Sequence, residues 1–276
     1  MKLLHNHRAV VTGASSGIGQ EYARQLAAMG CDLVIAARRL DRLNHLAGEL
    51  RSQYGVKVES IEIDLTQPSS AKSLFEQATA NHSEITILVS NAGIGKYGSF
   101  LDFPVKDHLS TMQVNAVIPT ELTYYFLEHM RKHRKKSYIK HVASIAAFQP
   151  TGFFTVYSGT KGYLRYFSET LAFELKGTNI SVTCTCPGGT YTEFMLHSGQ
   201  KITNSGHRFM MSSQVVVRSS LKAMLREQNV FVPGVLNKLA CFFPRILPRK
   251  ASLHLAFQAM NKAVQREETK QPLSLK

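Results

Sequence analysis

Short apolar runs alternate along the chain with longer segments whose apolar residues recur at helical spacing. The short runs predict strands at Ala9–Val11, Leu33–Ala37, Val58–Ile63, Ile85–Val89, Tyr138–Ala143 and Ile180–Cys184. The longer segments predict helices over 20–29, 40–53, a stretch after Pro68, 104–133 and 157–176. This alternation predicts an α/β fold, a doubly wound parallel sheet with helices on both faces. Ligands bind such sheets outside the carboxyl ends of the strands, where the strand order reverses.

The chain of 276 residues shows no repeat of fixed period and no change in composition before about residue 230. We therefore expect a single domain over 1–276, with a core of about 7–232 and a C-terminal extension over 233–276. The extension is apolar, basic and interrupted by Pro244 and Pro248. These prolines disfavour one long helix, so we expect an appended helical segment that packs on the core or on a partner.

Basic residues outnumber acidic ones by 33 to 19, which gives a formal net charge of +14. Residues 201–276 hold 13 basic and 3 acidic side chains, a surplus of 10. Such a field attracts phosphates, anionic cofactors, acidic carriers or membrane surfaces. We expect no nucleic-acid partner, because no known DNA-binding or RNA-binding module accompanies the charge.

Four Cys residues are too few for a disulfide framework in a chain this long, and Cys184 and Cys186 read as small buried side chains. No stretch approaches the roughly 20 apolar residues of a spanning helix, and the first residues lack the apolar core of a signal peptide. We therefore expect a cytoplasmic protein. We expect no metal site, since His129 and His133 have ligand spacing but sit among Arg and Lys.

A glycine-rich turn, Thr12–Gly19, lies between the first predicted strand and the first predicted helix. Glycine lets the backbone turn tightly and approach a pyrophosphate, which the N-terminus of the following helix attracts. The alternative is a turn without a ligand. The expected contacts come from Gly13, Ser15, Ser16, Gly17, Ile18 and Gly19.

Arg38 and Arg39 follow the second predicted strand, at the position where an acidic side chain would bind the ribose hydroxyl of NAD. A guanidinium group there suits the 2′-phosphate of NADP, because Arg pairs with phosphate in a bidentate manner. The sequence therefore favours NADP(H), with Arg38 as the contact. The alternative is a solvated basic start of the next helix, to which Arg39 alone could belong.

Tyr157 and Lys161 stand four residues apart at the head of a predicted helix, so they share one helical face. A neighbouring cation favours the phenolate form of Tyr, whose ordinary pKa of about 10 is too high for a base at neutral pH. The alternative is an ordinary amphipathic helix. Ser144, at the end of a strand 13 residues earlier, and Asn115, in the helix before that strand, favour a catalytic site.

With these motifs the chain resembles the short-chain dehydrogenase/reductase superfamily, in its compact single-domain branch of 3-oxoacyl-reductase-like and hydroxysteroid-dehydrogenase-like proteins, over about 7–232. The resemblance implies a Rossmann-type fold, a catalytic tetrad of Asn115, Ser144, Tyr157 and Lys161, and further cofactor contacts. Those contacts are Asp64, Leu65, Asn91, Ala92, Gly93, Pro187, Gly188, Thr190 and Thr192, beside Tyr157 and Lys161. Thr190 departs from the family, which usually has an aliphatic residue there.

The resemblance implies an NADP(H)-dependent enzyme that interconverts a carbonyl and a secondary alcohol. Ser144 would hold the substrate oxygen, Tyr157 would transfer the proton, Lys161 would lower the Tyr pKa and bind the nicotinamide ribose, and Asn115 would position a water. The alternative is a non-catalytic nucleotide-sensing or interaction protein on the same fold.

Apolar residues near the predicted site suggest a lipophilic substrate, fatty-acyl or steroid-like. They are Phe148, Phe153, Phe154, Val156, Met195, Leu196, Phe209, Met210 and Met211. The resemblance also implies a homodimer or homotetramer built through the helices at 104–133 and 157–176. We expect the extension to pack near the substrate entrance, with peripheral membrane contact as a minority alternative.

Overall fold

A computed structural model describes residues 3–80 and 84–265 of the protein. Its strands within those residues are β1 (Arg8–Thr12), β2 (Asp32–Ala37), β3 (Val58–Glu62), β4 (Ile87–Ser90), β5 (Ser137–Val142), β6 (Ile180–Thr185), β7 (Lys201–Ile202), β8 (Val230–Phe231) and β9 (Val264–Gln265). The main sheet has the order β3-β2-β1-β4-β5-β6-β8, and each neighbouring pair is parallel. β7 and β9 form a separate antiparallel pair.

Helices cover both faces of this sheet. They are α1 (Gly17–Ala28), α2 (Leu40–Tyr54), α3 (Ser70–Thr79), α4 (Val105–Met112), α5 (Ile118–Met130), α6 (Thr155–Glu174), α7 (Phe194–Ser198), α8 (Asn204–His207), α9 (Ser213–Leu225), α10 (Val235–Phe242) and α11 (Arg249–Ala263). Because side chains alternate along a strand, Val11 packs against the apolar cluster of α1, α2 and α9, while Val10 packs against that of α3 and α5. The predicted doubly wound α/β fold is confirmed.

The strand order reverses between β1 and β4, so the loops that follow these two strands meet at one edge of the sheet. Thr12, the last residue of β1, holds them together. Its hydroxyl accepts hydrogen bonds from the backbone N–H groups of Asn91 and Ala92, both at 3.0 Å, and the Asn91 amide donates to the Thr12 carbonyl at 2.9 Å. A ligand crevice is therefore built where the sequence predicts one.

Two features differ from the predicted elements. The predicted helix over 104–133 is interrupted by a π-helical turn at Gln113–Val117, between α4 and α5. The edge strand β8 is only two residues long, and so short a run carries no periodic signal in the sequence.

The extension is helical and broken at its prolines, as predicted. α10 is followed by a single 3₁₀ turn, Phe243–Arg245, and Pro248 precedes α11. The extension packs on the core through the buried Cys241 and through β9. Residues 266–276, which the predicted extension includes, lie outside the described residues, as do residues 1–2.

All four Cys residues are buried free thiols, in agreement with the prediction of small buried side chains. Among the described residues no helix combines the length and the apolar character that crossing a membrane requires.

Candidate active site

The loop between β1 and α1 depends on glycine. Gly13 and Gly17 have φ angles of 68° and 56°, in the left-handed region that favours glycine. A Cβ atom on Gly13 would lie 3.0 Å from the Ala92 Cα, and one on Gly17 would lie 2.9 Å from the Thr192 methyl carbon. The loop therefore lies directly against the chain after β4 and against the chain after β6.

At one end of the crevice, Arg38 and Asp64 follow β2 and β3. Burial alone would raise the pKa of Asp64, but the Thr66 backbone N–H and hydroxyl, at 3.0 and 2.9 Å, and the Arg38 guanidinium together hold it below its ordinary value. Arg38 itself is exposed. A carboxylate and a guanidinium thus stand side by side where the sequence predicts the adenosine half of a cofactor.

Arg39 is not the solvated helix start that the sequence left open. Its guanidinium donates to the hydroxyls of Ser15, at 3.1 Å, and Ser16, at 3.0 Å. It also donates to one oxygen of Glu193 at 2.8 Å, while Arg42 donates to the other at 2.6 Å. Arg42 and Arg39 together lower the pKa of Glu193 to about 2. Sequence reasoning missed Glu193, because its partners are more than 150 positions away in the chain.

Ser144 and Tyr157 meet at the carboxyl end of β5. The Ser144 hydroxyl accepts a hydrogen bond from the Ala146 N–H at 3.1 Å, at the start of a 3₁₀ turn. Burial raises the pKa of Tyr157 to about 12, against the lowering effect of the neighbouring Ser144 hydroxyl. At neutral pH the phenol therefore carries its proton.

Lys161 lies one turn after Tyr157 on α6 and is held by the sheet. Its ammonium donates to the Val142 carbonyl at 2.9 Å and lies 5.6 Å from the centre of the Tyr157 ring. Burial lowers the pKa of Lys161 to about 8. The ammonium is therefore close enough to stabilise a phenolate on Tyr157. While Tyr157 is uncharged, burial has the largest effect on its pKa and raises it.

Asn115 is fully buried in the π-helical turn and fixes the loop after β4. Its amide donates to the Ile94 carbonyl at 2.8 Å, and its carbonyl accepts from the Ile94 N–H at 2.9 Å. The amide also donates to the Thr160 hydroxyl at 3.1 Å, next to Lys161 in the chain. Asn115 therefore joins the loop after β4 to α6.

The chain after β6 closes the crevice from the other side. The Pro187 carbonyl accepts from the Ile145 N–H at 2.9 Å, which ties this segment to the turn after Ser144. Thr190, the departure from the family pattern, is buried and donates to the Gly188 carbonyl at 3.0 Å. An aliphatic side chain would lack this bond, so the Thr stabilises its own turn.

One cavity of about 1310 Å³ brings nearly all of these groups together. The predicted site residues on its wall are Gly13, Ser15, Ser16, Gly17, Ile18, Arg38, Asp64, Leu65, Asn91, Ala92, Gly93, Ser144, Tyr157, Lys161, Pro187, Gly188, Thr190 and Thr192. Gly19 and Asn115 support this wall from behind, Gly19 against the Gly13 carbonyl and Asn115 against Ile94. The glycine loop and the arginines fit an elongated phosphate-bearing cofactor on chemical grounds.

The predicted apolar wall is correct in part. Phe154, Met195, Phe209 and Met210 line the cavity. The others have different surroundings: Phe148 stacks on Arg165, Phe153 contacts Tyr97 and Phe257, Val156 lines a smaller cavity, Leu196 is largely exposed, and Met211 packs at Gly234.

The extension supplies apolar wall to the cavity, in line with the expectation that it packs near the substrate entrance. Its residues on the cavity include Leu236, Ala240, Ala256, Ala259, Met260, Ala263 and Val264. β9 brings the last of these to the site by pairing with β7, and Val264 then packs in one cluster with Tyr97 and Phe154. No local pattern could have shown this, because the pairing spans about 60 residues.

Comparison with known proteins agrees with this geometry. A family model described as short chain dehydrogenase matches residues 7–202. An uncharacterized oxidoreductase of Bacillus subtilis, YvaG, is 30% identical over 240 residues, 83% of this chain and 88% of that protein. A very-long-chain 3-oxoacyl-CoA reductase of Anas platyrhynchos is 34% identical over 185 residues, which are 65% of this chain and 58% of that one.

Among solved structures, a short-chain dehydrogenase from Sphingobium yanoikuyae in complex with NADPH superposes with a TM-score of 0.77. It is 26% identical, and the match covers 96% of this chain and 99% of the other. The fold is that of a dinucleotide-binding α/β protein. The chain belongs to the short chain dehydrogenase family and is an oxidoreductase.

Proposed function

We propose that this protein uses NADP(H) to interconvert a lipophilic carbonyl compound and its secondary alcohol, fatty-acyl or steroid-like, with Tyr157 transferring the proton. The observation that carries the proposal is the cluster of Ser144, Tyr157 and Lys161 on the wall of a cavity whose other end is apolar. In support, one relative at 34% identity is named as a reductase of very-long-chain 3-oxoacyl-CoA.

Proton transfer follows from the pKa values of the two central groups. With a pKa of about 12, Tyr157 is protonated at neutral pH and so donates its proton when a carbonyl is reduced. Ser144, beside the Tyr157 hydroxyl, would orient the substrate oxygen toward that proton. At neutral pH Lys161 still carries its positive charge, which stabilises the negative charge left on the Tyr157 oxygen after proton transfer.

The cofactor, when bound, supplies or accepts the hydride, and the chain provides the binding surface. The glycine loop would hold its pyrophosphate, Asp64 and Leu65 its adenine, and Arg38 its 2′-phosphate. Asn91, Ala92, Gly93, Lys161 and the segment Pro187–Thr192 would hold the nicotinamide half. Arg39 adds a second guanidinium at the 2′-phosphate position, in support of NADP(H) over NAD(H).

The substrate would lie against Phe154, Phe194 and Met260, which contact or surround the Tyr157 ring. Burial of each additional CH₂ group is worth about 0.8 kcal/mol, so kcat/KM should increase with the apolar length of the carbonyl compound. Short polar ketones and sugars should be poor substrates.

We also propose a cytoplasmic homodimer or homotetramer. Exposed apolar side chains on the helices that the resemblance assigns to subunit contacts support this assembly, since a second copy would cover them. These side chains are Leu109, Met112, Tyr124, Tyr163, Tyr166 and Phe173.

The test is oxidation of NADPH, followed over a panel of ketones of increasing alkyl length, steroid ketones and sugars. Tyr157→Phe should lower turnover about 10²- to 10⁴-fold, because it removes the proton donor and little volume. NADPH affinity should stay within about twofold. The control is Tyr54→Phe, which removes a hydroxyl at the end of α2, outside the cavity wall.

Near wild-type turnover by Tyr157→Phe would contradict the proton-transfer role. Tight NADPH binding with no turnover on any carbonyl or alcohol would instead favour the nucleotide-sensing alternative, which the same fold permits.

A further inference from the structure

A row of exposed apolar side chains starts on α10 and continues past its end. Val235, Leu239, Phe242 and Ile246 recur every three or four residues, so they share one face, and they are 72%, 45%, 53% and 63% exposed. Leu236 and Phe243 lie beside them and are also exposed. We call these six side chains the apolar ledge. The opposite side of the helix holds it to the core through the buried Cys241.

The sequence around the apolar ledge carries charge of one sign. Residues 228–265 contain five basic residues and neither Asp nor Glu. Lys238, Arg249 and Lys250 are exposed at positions within or shortly after the ledge. A surface that covers the ledge must therefore accept apolar side chains and be negatively charged around them.

A second copy of the chain does not meet that requirement. A two-fold contact through the ledge would place the same cations opposite one another with no carboxylate between them. The apolar residues on α4, α5 and α6 differ, because Glu128, Glu169 and Glu174 lie on the same helices beside bases such as Arg165. Self-association suits those helices, and the ledge needs another occupant.

The ledge also borders the large cavity. Leu236 and Ala240 line the cavity from α10, while Val235 and Leu239 on the same helix face outward. An apolar molecule could therefore pass from a covering surface into the cavity along α10.

We propose that the apolar ledge and its flanking cations dock on the anionic surface of a phospholipid bilayer. Apolar side chains would enter the boundary between head groups and acyl chains, and the cations would contact the phosphates. The mouth of the cavity would then open toward the lipid. Delivery of a lipophilic substrate by this route rests on the proposed function, but the docking itself does not.

The chain contains no Trp, so a single Trp can report on one position. In the full chain, Phe242→Trp should shift its emission to shorter wavelength with vesicles that contain phosphatidylglycerol, and brominated acyl chains should quench it. Phosphatidylcholine vesicles should have little effect. The control is Leu3→Trp, an exposed position before β1, at the end of the strands away from the cavity and outside the helices assigned to subunit contacts. It should not respond.

Charge is tested by two variants that each remove three bases. Lys238→Gln with Arg249→Gln and Lys250→Gln should lower partitioning onto phosphatidylglycerol vesicles by roughly tenfold or more. Arg131→Gln with Lys132→Gln and Arg134→Gln removes equal charge from the end of α5 and should lower it much less. NADPH titration of each variant checks that it is folded.

An unshifted Phe242→Trp emission spectrum at low salt would overturn the proposal. Equal losses of vesicle partitioning in the two triple variants would also overturn it, because they would mean that net charge alone attracts the protein. A ledge variant, Phe242→Ser with Phe243→Ser, that changes the oligomeric mass without changing vesicle binding would assign the ledge to a second copy. Failure of NADPH turnover with intact vesicle binding would count against the proposed function only.

Discussion

At the scale of single residues, the arginines after β2 show how a local pattern acquires its chemistry from distant partners. Arg38 is exposed beside Asp64, whereas Arg39 is held by Ser15, Ser16 and Glu193. Because no acidic side chain follows the second predicted strand, the sequence predicted that a guanidinium there binds a 2′-phosphate. It assigned the contact to Arg38 and left Arg39 as a possible solvated helix start, because the partners that hold Arg39 lie in the glycine loop and in the chain after β6.

Arg38→Ala and Arg39→Ala should each weaken NADPH binding by roughly tenfold or more while changing NADH affinity little. A hydrogen bond to a charged group contributes about 1.5–3 kcal/mol, and only NADPH carries the 2′-phosphate that would accept it. Calorimetric titration with both cofactors measures the ratio. Arg24→Ala, which removes an arginine paired with Glu49, is the control. An unchanged NADPH to NADH ratio in both test variants would refute the assignment.

Glu193→Gln should tighten NADPH binding by roughly two- to fivefold relative to NADH. The carboxylate occupies N–H groups of Arg39 and Arg42 and would repel a nearby phosphate, while partly exposed ion pairs contribute only about 0.2–1 kcal/mol. The same titrations at low and high salt provide the measurement. A weaker NADPH complex would show instead that Glu193 mainly orients Arg39.

At the scale of elements, the sequence predicts the strands and helices that follow from hydrophobic periodicity. It does not predict features that depend on contacts between distant parts of the chain. The strands from β1 to β6 follow from local pattern, whereas the tetrad positions were predicted from the resemblance to the family. The π-helical turn does not follow from local pattern, because both hydrogen bonds of Asn115 to Ile94 come from another loop. The sequence predicts that the extension packs near the substrate entrance, but not the pairing of β7 with β9 that holds it there, because this pairing joins distant parts of the chain.

The close approach of α8 to the end of α11 makes that pairing testable. A Cβ atom on Gly206 would meet the Ala263 carbonyl oxygen at 2.5 Å and the Ile202 side chain at 2.8 Å. Gly206→Ala should therefore destabilise the docked extension by about 1–3 kcal/mol, as overpacking does. Gly48→Ala, where nothing lies within 4 Å on helix α2, should instead stabilise the protein by about 0.5–1 kcal/mol.

Thermal unfolding and limited proteolysis near residue 263 measure these two effects. If Gly206→Ala were as stable and as resistant to protease as Gly48→Ala, then the extension would not be held at this contact.

At the scale of the whole molecule, a buried polar network joins α1 and α9, which lie on one face of the sheet, to the strands beneath them. Lys140 of β5 is fully buried, and its ammonium donates to the Thr185 hydroxyl and, at 3.4 Å, to the Ser220 carbonyl of α9. The Ser220 hydroxyl is in turn hydrogen-bonded to Thr185 and to Tyr22 of α1. Burial lowers the pKa of Lys140 to about 7. Lys140 lies in the predicted strand Tyr138–Ala143, but its burial follows only from the assembled sheet.

This depressed pKa makes stability depend on pH in a definite direction. Between about pH 7 and 10.4 the unfolded chain holds a proton on Lys140 that the folded chain has released. The free energy of unfolding therefore gains up to about 1.4 kcal/mol per pH unit from this group as pH rises, and below pH 7 the folded state bears the full cost of the buried charge. Lys140→Met removes the dependence. Its stability relative to wild type should thus fall steadily from pH 7 to 10, as measured by urea unfolding, with the exposed Lys132→Met as the baseline. A difference between Lys140→Met and wild type that stays constant over this range would mean that Lys140 is no harder to charge in the folded protein than in the unfolded chain.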